Sequence, residues 1–401
     1  MKLTKYDFRK MFFVYCIILT IVFTSCQIKS AFRRGCDFTN AGEHQNAIGE
    51  FTEAINLNPR FADAYRSRGV SYHNLKEYTK AIDDYTEVIK LDPADFTLSV
   101  HEAVARDSKY AETYFNRGIS YSCLKEHEKA IADYTTAITL KPYFEKAYFN
   151  RGTEYSMLKE FEKAIADFSI AVSNYPYNAD AYLNLGGALQ AQKRYAEAEE
   201  KFREVIKRNS NHVKAHINLG NILYIQKKYT DAEKEFRKVI ELDQKNADAH
   251  KILGNILYIQ KKYTDAEKEF REVIELDPKN ADAHNNLGNI LYIQKKYEDA
   301  EKEYREVIKL KPMNTSVHFN LGLLLKTQEK YIEAEKEFSE TIKLDSNHWQ
   351  AYVQRGVIYY MHNHYQKALD DFDKAISLNP EIEADESLQA VLAECKNALN
   401  K

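Results

Sequence analysis

Glycine recurs at a fixed interval through most of the chain. Successive intervals are 34 residues long, except for one of 49; an alanine follows each of these glycines after 12 residues and a phenylalanine or tyrosine after 16. Self-similarity with such a period predicts an array of stacked repeats instead of one globular core. The recurring glycines are Gly35, Gly69, Gly118, Gly152, Gly186, Gly220, Gly254, Gly288, Gly322 and Gly356.

Every proline of the chain lies 24 residues after one of these glycines. Because proline cannot continue the interior of a helix, it marks the turn between successive repeats. The prolines are Pro59, Pro93, Pro142, Pro176, Pro278, Pro312 and Pro380.

The combined register of Leu or Arg before Gly, then Ala, then Phe or Tyr, then Pro resembles the tetratricopeptide repeat, with the glycine as position 8 of 34. The resemblance implies an all-α fold, a right-handed superhelical solenoid of ten helix-turn-helix repeats. Repeats 1 and 2 would cover residues 28–95, and repeats 3 to 10 residues 111–382. Each repeat is a pair of helices, A and B, that must stack on its neighbours to bury its apolar face.

Two further segments belong to this expectation. Residues 96–110 form an insertion whose second half resembles part of repeat 1, which predicts a truncated repeat folded as a short helix. Residues 383–401 place Leu388, Val391, Leu392 and Cys395 on one helical face. That apolar face predicts a capping helix, which an open-ended solenoid needs for solubility.

The amino end predicts export. Basic residues precede an uncharged, mostly apolar run over residues 11–25, which is short for a membrane span of about 20 residues. Residues 1–25 are therefore interpreted as a signal peptide. The basic residues are Lys2, Lys5, Arg9 and Lys10.

The end of that run, Phe23 to Cys26, resembles a bacterial lipoprotein signal. The resemblance implies cleavage before Cys26, a lipid on its thiol and a mature amino terminus at residues 26–27. Gln27 after the cysteine implies transfer to the outer membrane. The alternatives are an uncleaved anchor helix and a plain secretory signal in which Cys26 has no role.

The repeats fall into two subtypes. Repeats 1–4 and 10 carry Arg at position 7 and an acidic residue at position 23, whereas repeats 5–9 carry Leu at position 7. The first subtype predicts an ion pair between helices A and B. Repeats 5–8 carry Glu–Arg pairs four residues apart on helix B, interpreted as decoration of a solvated face. The predicted interhelix pairs are Arg34–Glu50, Arg68–Asp84, Arg117–Asp133, Arg151–Asp167 and Arg355–Asp371.

The resemblance also implies where a partner would bind, because the family's ligands lie on a concave face lined by helix A. Asn at positions 6 and 9 and Tyr at position 12 recur on this face. An amide both donates and accepts, so a ladder of Asn suits the backbone of an extended peptide; the alternative is that these residues are scaffold. The candidate residues are Asn116, Asn150, Asn184, Asn218, Asn286 and Asn320 at position 6, Asn221, Asn255 and Asn289 at position 9, and Tyr224, Tyr258 and Tyr292 at position 12.

Histidine recurs at position 4 of repeats 6–9. Packed helices lie about 8–10 Å apart, whereas zinc needs each nitrogen at about 2.0–2.1 Å, so packing is favoured over metal binding. Irregularly spaced cysteines and the lack of any catalytic motif predict no metal, no cofactor and no enzymatic activity. The histidines are His216, His250, His284 and His318.

The net charge of -3 gives no basic footprint for nucleic acid. The leading hypothesis is a scaffold or adaptor, anchored by a lipid in a bacterial envelope, that binds a partner protein or extended peptide. The alternative is a structural, self-associating surface spacer, which the nearly identical repeats 6 and 7 favour.

Overall fold

The computed structural model describes residues 5–91 and 100–400, and the side chains of residues 10–91 and 107–400. The chain divides into two compact units, Met1–Ser210 and Asn211–Lys401. The first unit contains α1 (Lys5–Asn40), α2 (His44–Leu57), α3 (Ala62–Asn74), α4 (Tyr78–Leu91), α5 (Val100–Cys123), α6 (His127–Leu140), α7 (Glu145–Met157), α8 (Phe161–Asn174), α9 (Ala179–Ala191) and α10 (Tyr195–Arg208).

The second unit continues the same alternation and ends in a short 3-10 helix (Pro380–Ala384) followed by α21. Its helices are α11 (Val213–Ile225), α12 (Tyr229–Leu242), α13 (Ala247–Ile259), α14 (Tyr263–Leu276), α15 (Ala281–Ile293), α16 (Tyr297–Leu310), α17 (Thr315–Thr327), α18 (Tyr331–Leu344), α19 (Trp349–Met361), α20 (Tyr365–Leu378) and α21 (Glu386–Leu399).

The all-helical fold of paired helices is confirmed, and no strand occurs in the described residues. Odd-numbered helices from α1 to α19 are the A helices, and each packs against the B helix that follows it. Within each unit, a B helix then packs against the A helix of the next repeat. Two A helices are longer than the repeat requires: α1 also contains the apolar segment, and α5 begins at Val100.

The glycine at position 8 lets helices A and B approach closely. A Cβ on Gly254 would lie 2.9 Å from Cε2 of Phe270, and one on Gly288 would lie 2.7 Å from Cε1 of Tyr304. Real Cβ atoms do not approach that closely, so only glycine fits beneath the ring. The rings of Phe270 and Tyr304 are buried, which explains the 16-residue spacing found in the sequence.

A left-handed residue at position 15 joins helix A to helix B. In repeat 1 this residue is Gly42, with φ of 78°, whereas in repeat 7 it is Lys261, with φ of 61°. The turn is held by hydrogen bonds from the amides of Lys261 and Lys262 to the carbonyl oxygens of Tyr258 and Leu257, each 2.9 Å long. The sequence signals this turn only where glycine or asparagine occupies position 15, as in Gly42 and Asn363.

The predicted ion pairs between helices A and B are present. In repeat 2, Arg68 Nε donates to Asp84 Oδ2 at 2.9 Å and Nη2 donates to Oδ1 at 2.7 Å. Arg68 Nη1 donates to Thr52 Oγ1 of the preceding repeat at 3.0 Å. Arg117 makes the same contacts with Asp133 and Thr86. The arginine therefore joins three helices, one more than the sequence pattern predicted.

In repeats 6–9 the position-23 carboxylate bonds a different residue of helix A, the histidine at position 4. His250 Nδ1 lies 2.6 Å from Glu269 Oε2, and its Nε2 lies 3.2 Å from the carbonyl oxygen of Gln244. His284 and His318 repeat this geometry. These ring nitrogens are engaged inside the repeat, in agreement with a packing role.

The Glu–Arg pairs on helix B do more than decorate a solvated face. Arg271 Nη2 donates to Glu267 Oε1 at 2.9 Å, and Lys296 of the next repeat donates to Glu267 Oε2 at 2.8 Å. Burial acts to raise the pKa of Glu267, but the hydrogen bonds and charges of Lys296 and Arg271 hold it below its ordinary value. The same bridge, centred on Glu233 and on Glu301, links other neighbouring repeats.

Several sequence predictions meet the structure only in part. Pro93 and residues 96–99 lie outside the described residues. The helical part of the insertion, residues 100–110, is the first part of α5 and continues into helix A of repeat 3. Its origin as a truncated repeat stays a prediction. Near the other end, α21 lies within the predicted capping segment and buries Leu392 and Cys395 against α20.

Candidate functional site: the helix A face of repeats 7 to 9

Side chains from three successive repeats line a depression of 290 Å³ in the second unit. Four of them were predicted to bind a partner, and none of the lining residues is charged. We call this depression the Tyr–Asn pocket. Its lining residues are Tyr258, Asn289, Tyr292, Ile293, Tyr304, Asn320 and Leu323.

Asparagines in the pocket and beside it bond one another across repeats. Asn320 Nδ2 donates to Asn289 Oδ1 at 3.2 Å, and Asn286 Nδ2 donates to Asn255 Oδ1 at the same distance. The phenol of Tyr304 also donates to Asn289 Oδ1, at 2.8 Å. A position-6 asparagine is therefore tied to the position-9 asparagine of the preceding repeat.

This pairing leaves half of each amide free. Among the described residues, the Nδ2 atoms of Asn255 and Asn289 and the Oδ1 atoms of Asn286 and Asn320 have no protein partner. All four side chains are partly exposed. The face therefore offers two donors and two acceptors, held in place by the bonds that the other halves of the amides make.

A row of tyrosines and isoleucines lies at the end of the A helices. Tyr258 packs edge-on against Tyr263, and Tyr292 packs at a tilt against Tyr297, each with ring centroids 5.8 Å apart. The adjacent Ile259 and Ile293 are 42% and 40% exposed, which is high for isoleucine. The row gives a partly rigid apolar edge beside the amides.

The remaining predicted residues do not join this pocket. Asn218, Asn221 and Tyr224 lie on the corresponding face of repeat 6 but do not line it. Asn116, Asn150 and Asn184 lie partly exposed on A helices of the first unit.

Three lining residues were not predicted. Tyr304 was interpreted as scaffold because it holds the aromatic position above Gly288. The only feature of the sequence that could have indicated its role is its hydroxyl, because the phenylalanine at the same position in repeat 7 cannot hydrogen-bond an asparagine. Burial raises the pKa of Tyr304, so the phenol stays a donor near neutral pH. Ile293 and Leu323 carry no signal beyond their positions.

Family comparisons agree with the repeat register. Models described as tetratricopeptide repeat or TPR repeat match residues 62–95, 111–144, 149–212, 189–256, 254–294, 288–329, 315–348 and 349–382. No curated protein sequence matches the chain.

Solved structures with the same helical repeats are similar to parts of the chain. The C-terminal part of a TPR repeat-containing protein from Cytophaga hutchinsonii has 18% identity and a TM-score of 0.55, over 64% of this chain and 99% of that one. YrrB, described as a TPR protein with an unusual peptide-binding site, has 26% identity and a TM-score of 0.43, over 49% and 99%. The first of these likenesses supports the fold.

Proposed function

Because the chain belongs to the tetratricopeptide repeat family, we propose that it is a protein-interaction scaffold held at a membrane of a bacterial envelope. Its binding face is the Tyr–Asn pocket with the paired asparagines beside it, and its ligand is an extended segment of a partner protein. The observation that carries the proposal is the free donor and acceptor left on each pair of bonded amides.

Geometry relates this face to a peptide backbone. Neighbouring helices pack about 8–10 Å apart, and an extended chain advances about 3.3 Å per residue, so one repeat spans about three peptide residues. One amide pair per repeat can then bond one backbone carbonyl and one backbone N–H. Tyr258, Tyr292 and Ile293 would contact the apolar side chains of the same segment.

Anchoring is proposed through Cys26. This residue is exposed on α1, next to the apolar run whose side chains point to solvent. The helix spanning Lys10–Asn40 is long and apolar enough by length and composition to cross a membrane, a test that signal sequences also pass. Acyl chains on one cysteine would hold the chain firmly, since each buried CH₂ contributes about 0.8 kcal/mol.

The binding proposal is tested by photo-crosslinking in the native cell. A benzophenone amino acid replaces Tyr258, and in the control it replaces Lys268, an exposed residue of helix B in the same repeat. The proposal expects a defined heterologous partner crosslinked from Tyr258 and not from Lys268. Crosslinks only to other copies of the chain would instead support the spacer function, and equal capture from both positions would refute a specific face.

The anchoring proposal is tested separately. Mass spectrometry of the mature chain is expected to find an acylated Cys26 as the first residue, and Cys26→Ser is expected to lose the processed, acylated form. A wild-type chain that starts elsewhere, or keeps an unmodified Cys26, would remove the lipid anchor and leave the peptide-binding proposal standing.

A further inference from the structure

A second cavity lies at the end of the second unit, between the last repeat and its capping helix. It has a volume of 670 Å³ and is lined mainly by apolar side chains. One wall comes from α19 and the other from the 3-10 helix and α21. The apolar lining consists chiefly of Trp349, Val353, Val357, Ile382, Leu388 and Val391.

The cavity exists because α21 covers helix B of the last repeat more closely than helix A. Its Leu392 and Cys395 are buried against Leu369 and Phe372. On the helix A side, Val353 and Val357 occupy positions 5 and 9, where repeat 8 has asparagine. We call this space the end cavity; its chemistry differs from that of the Tyr–Asn pocket.

Two residues of the lining are acidic and none is basic. Glu381 and Asp385 contribute to the lining. Five carboxylates and no lysine or arginine lie between Lys374 and Lys396. In the described part of the chain, no ion pair involves Glu381 or Asp385. The Asp385 side chain accepts a hydrogen bond from the amide of Leu388 and so caps α21.

We propose that the end cavity binds a peptide segment of a partner protein that carries one large aliphatic or aromatic side chain flanked by lysine or arginine. The apolar side chain fills the space beside Trp349, and its basic neighbours meet Glu381 and Asp385 at the rim. The charge complementarity selects a basic segment over an acidic one. This site is independent of the Tyr–Asn pocket.

Trp349 reports on the cavity directly, because it is the only tryptophan of the chain. The full chain is held in dodecyl maltoside micelles and titrated with a capped nine-residue peptide that has a central leucine between lysines. A saturable shift in tryptophan emission is expected. Replacing the leucine by serine is expected to weaken binding about tenfold to a hundredfold, from the loss of one buried side chain.

Variants of the chain separate the two parts of the site. Glu381→Gln with Asp385→Asn removes the rim charge and keeps a capping residue, and is expected to weaken binding about threefold to tenfold. Val353→Phe fills the cavity and is expected to abolish binding, with unchanged circular dichroism as the test of folding. Val391→Phe, on the opposite wall, is the second filling variant if the first does not fold.

Glu298→Gln is the matched control, because it removes one exposed carboxylate of α16 away from the cavity, and it is expected to bind like the wild type. The proposal is overturned if the lysine peptide gives no saturable shift. It is equally overturned if a peptide with glutamate in place of lysine binds as tightly, or if binding survives in a folded cavity-filled variant.

Discussion

Lys261→Gly is expected to stabilise the chain, although it removes a side chain. Lys261 holds a left-handed backbone conformation, with φ of 61°, at the turn between helices A and B of repeat 7. Its side chain is exposed, and no ion pair or side-chain hydrogen bond to it exists among the described residues. The turn is held by main-chain hydrogen bonds that glycine keeps.

The magnitude follows from two opposing terms. The left-handed conformation costs an L-residue about 1–2 kcal/mol, and this strain disappears with glycine. Glycine loses about 0.5–1 kcal/mol more conformational entropy on folding. The difference predicts a gain of about 0.5–1 kcal/mol in the free energy of unfolding.

The control is the same substitution seven residues along the chain. Lys268 is exposed in the interior of α14, where glycine costs about 0.8 kcal/mol relative to a good helix former. Urea unfolding followed by circular dichroism should therefore shift the midpoint up for Lys261→Gly and down for Lys268→Gly. Shifts of the same sign, or a loss of stability at Lys261, would refute the strain argument.

Three further outcomes are expected. Arg68→Leu leaves the buried Asp84 without its cation and should cost about 3 kcal/mol in urea unfolding, while Arg68→Leu with Asp84→Leu should recover most of it, since repeats 5–9 carry Leu at position 7. Folding lowers the pKa of Glu267 despite its burial, through Lys296 and Arg271. The carboxylate therefore contributes to the free energy of unfolding above its unfolded pKa near 4.3, and this contribution is lost as the pH falls through its folded pKa. Glu267→Gln should flatten the dependence of stability on pH below about pH 5. Zinc should leave the melting temperature unchanged, because His250 engages Glu269 and a carbonyl oxygen, and a zinc-dependent rise would contradict the packing role.

Contacts inside one repeat could be predicted from the sequence, because a strict period fixes the register between helices A and B. The spacing of 16 residues between Arg68 and Asp84 recurs in five repeats, so it predicted a bond that the structure contains. The bridge from Glu267 to Lys296 was not predicted, since it depends on how neighbouring repeats stack. The periodic pattern gives the composition of that interface but no distances across it.

In the candidate site, too, the sequence predicted the residues but not the contacts between repeats. The residues at position 6 looked equivalent in the sequence, yet an amide pair forms only where the preceding repeat has Asn at position 9. The repeats that precede Asn116, Asn150 and Asn184 hold Val70, Ile119 and Thr153 at that position, and none of these side chains is an amide. Asn289 and Asn320 meet the condition, and Tyr304 then adds a bond that a count of asparagines could not reveal.

The choice of partner for the position-23 carboxylate has a consequence for the binding face. Where the partner is an arginine, as Arg68 is, a guanidinium lies on helix A between Tyr65 and Tyr72. Where the partner is a histidine, as His250 is, the carboxylate bonds at the start of helix A, and position 7 is held by a buried leucine, Leu253. The ion pairs of repeats 6–9 therefore lie mostly along the B helices. The residues that line the Tyr–Asn pocket are then uncharged, and Lys251 and Lys326 on the same A helices are engaged by Asp248 and Gln354. This is the kind of hydrogen-bonding surface that suits the extended peptide backbone we propose as ligand.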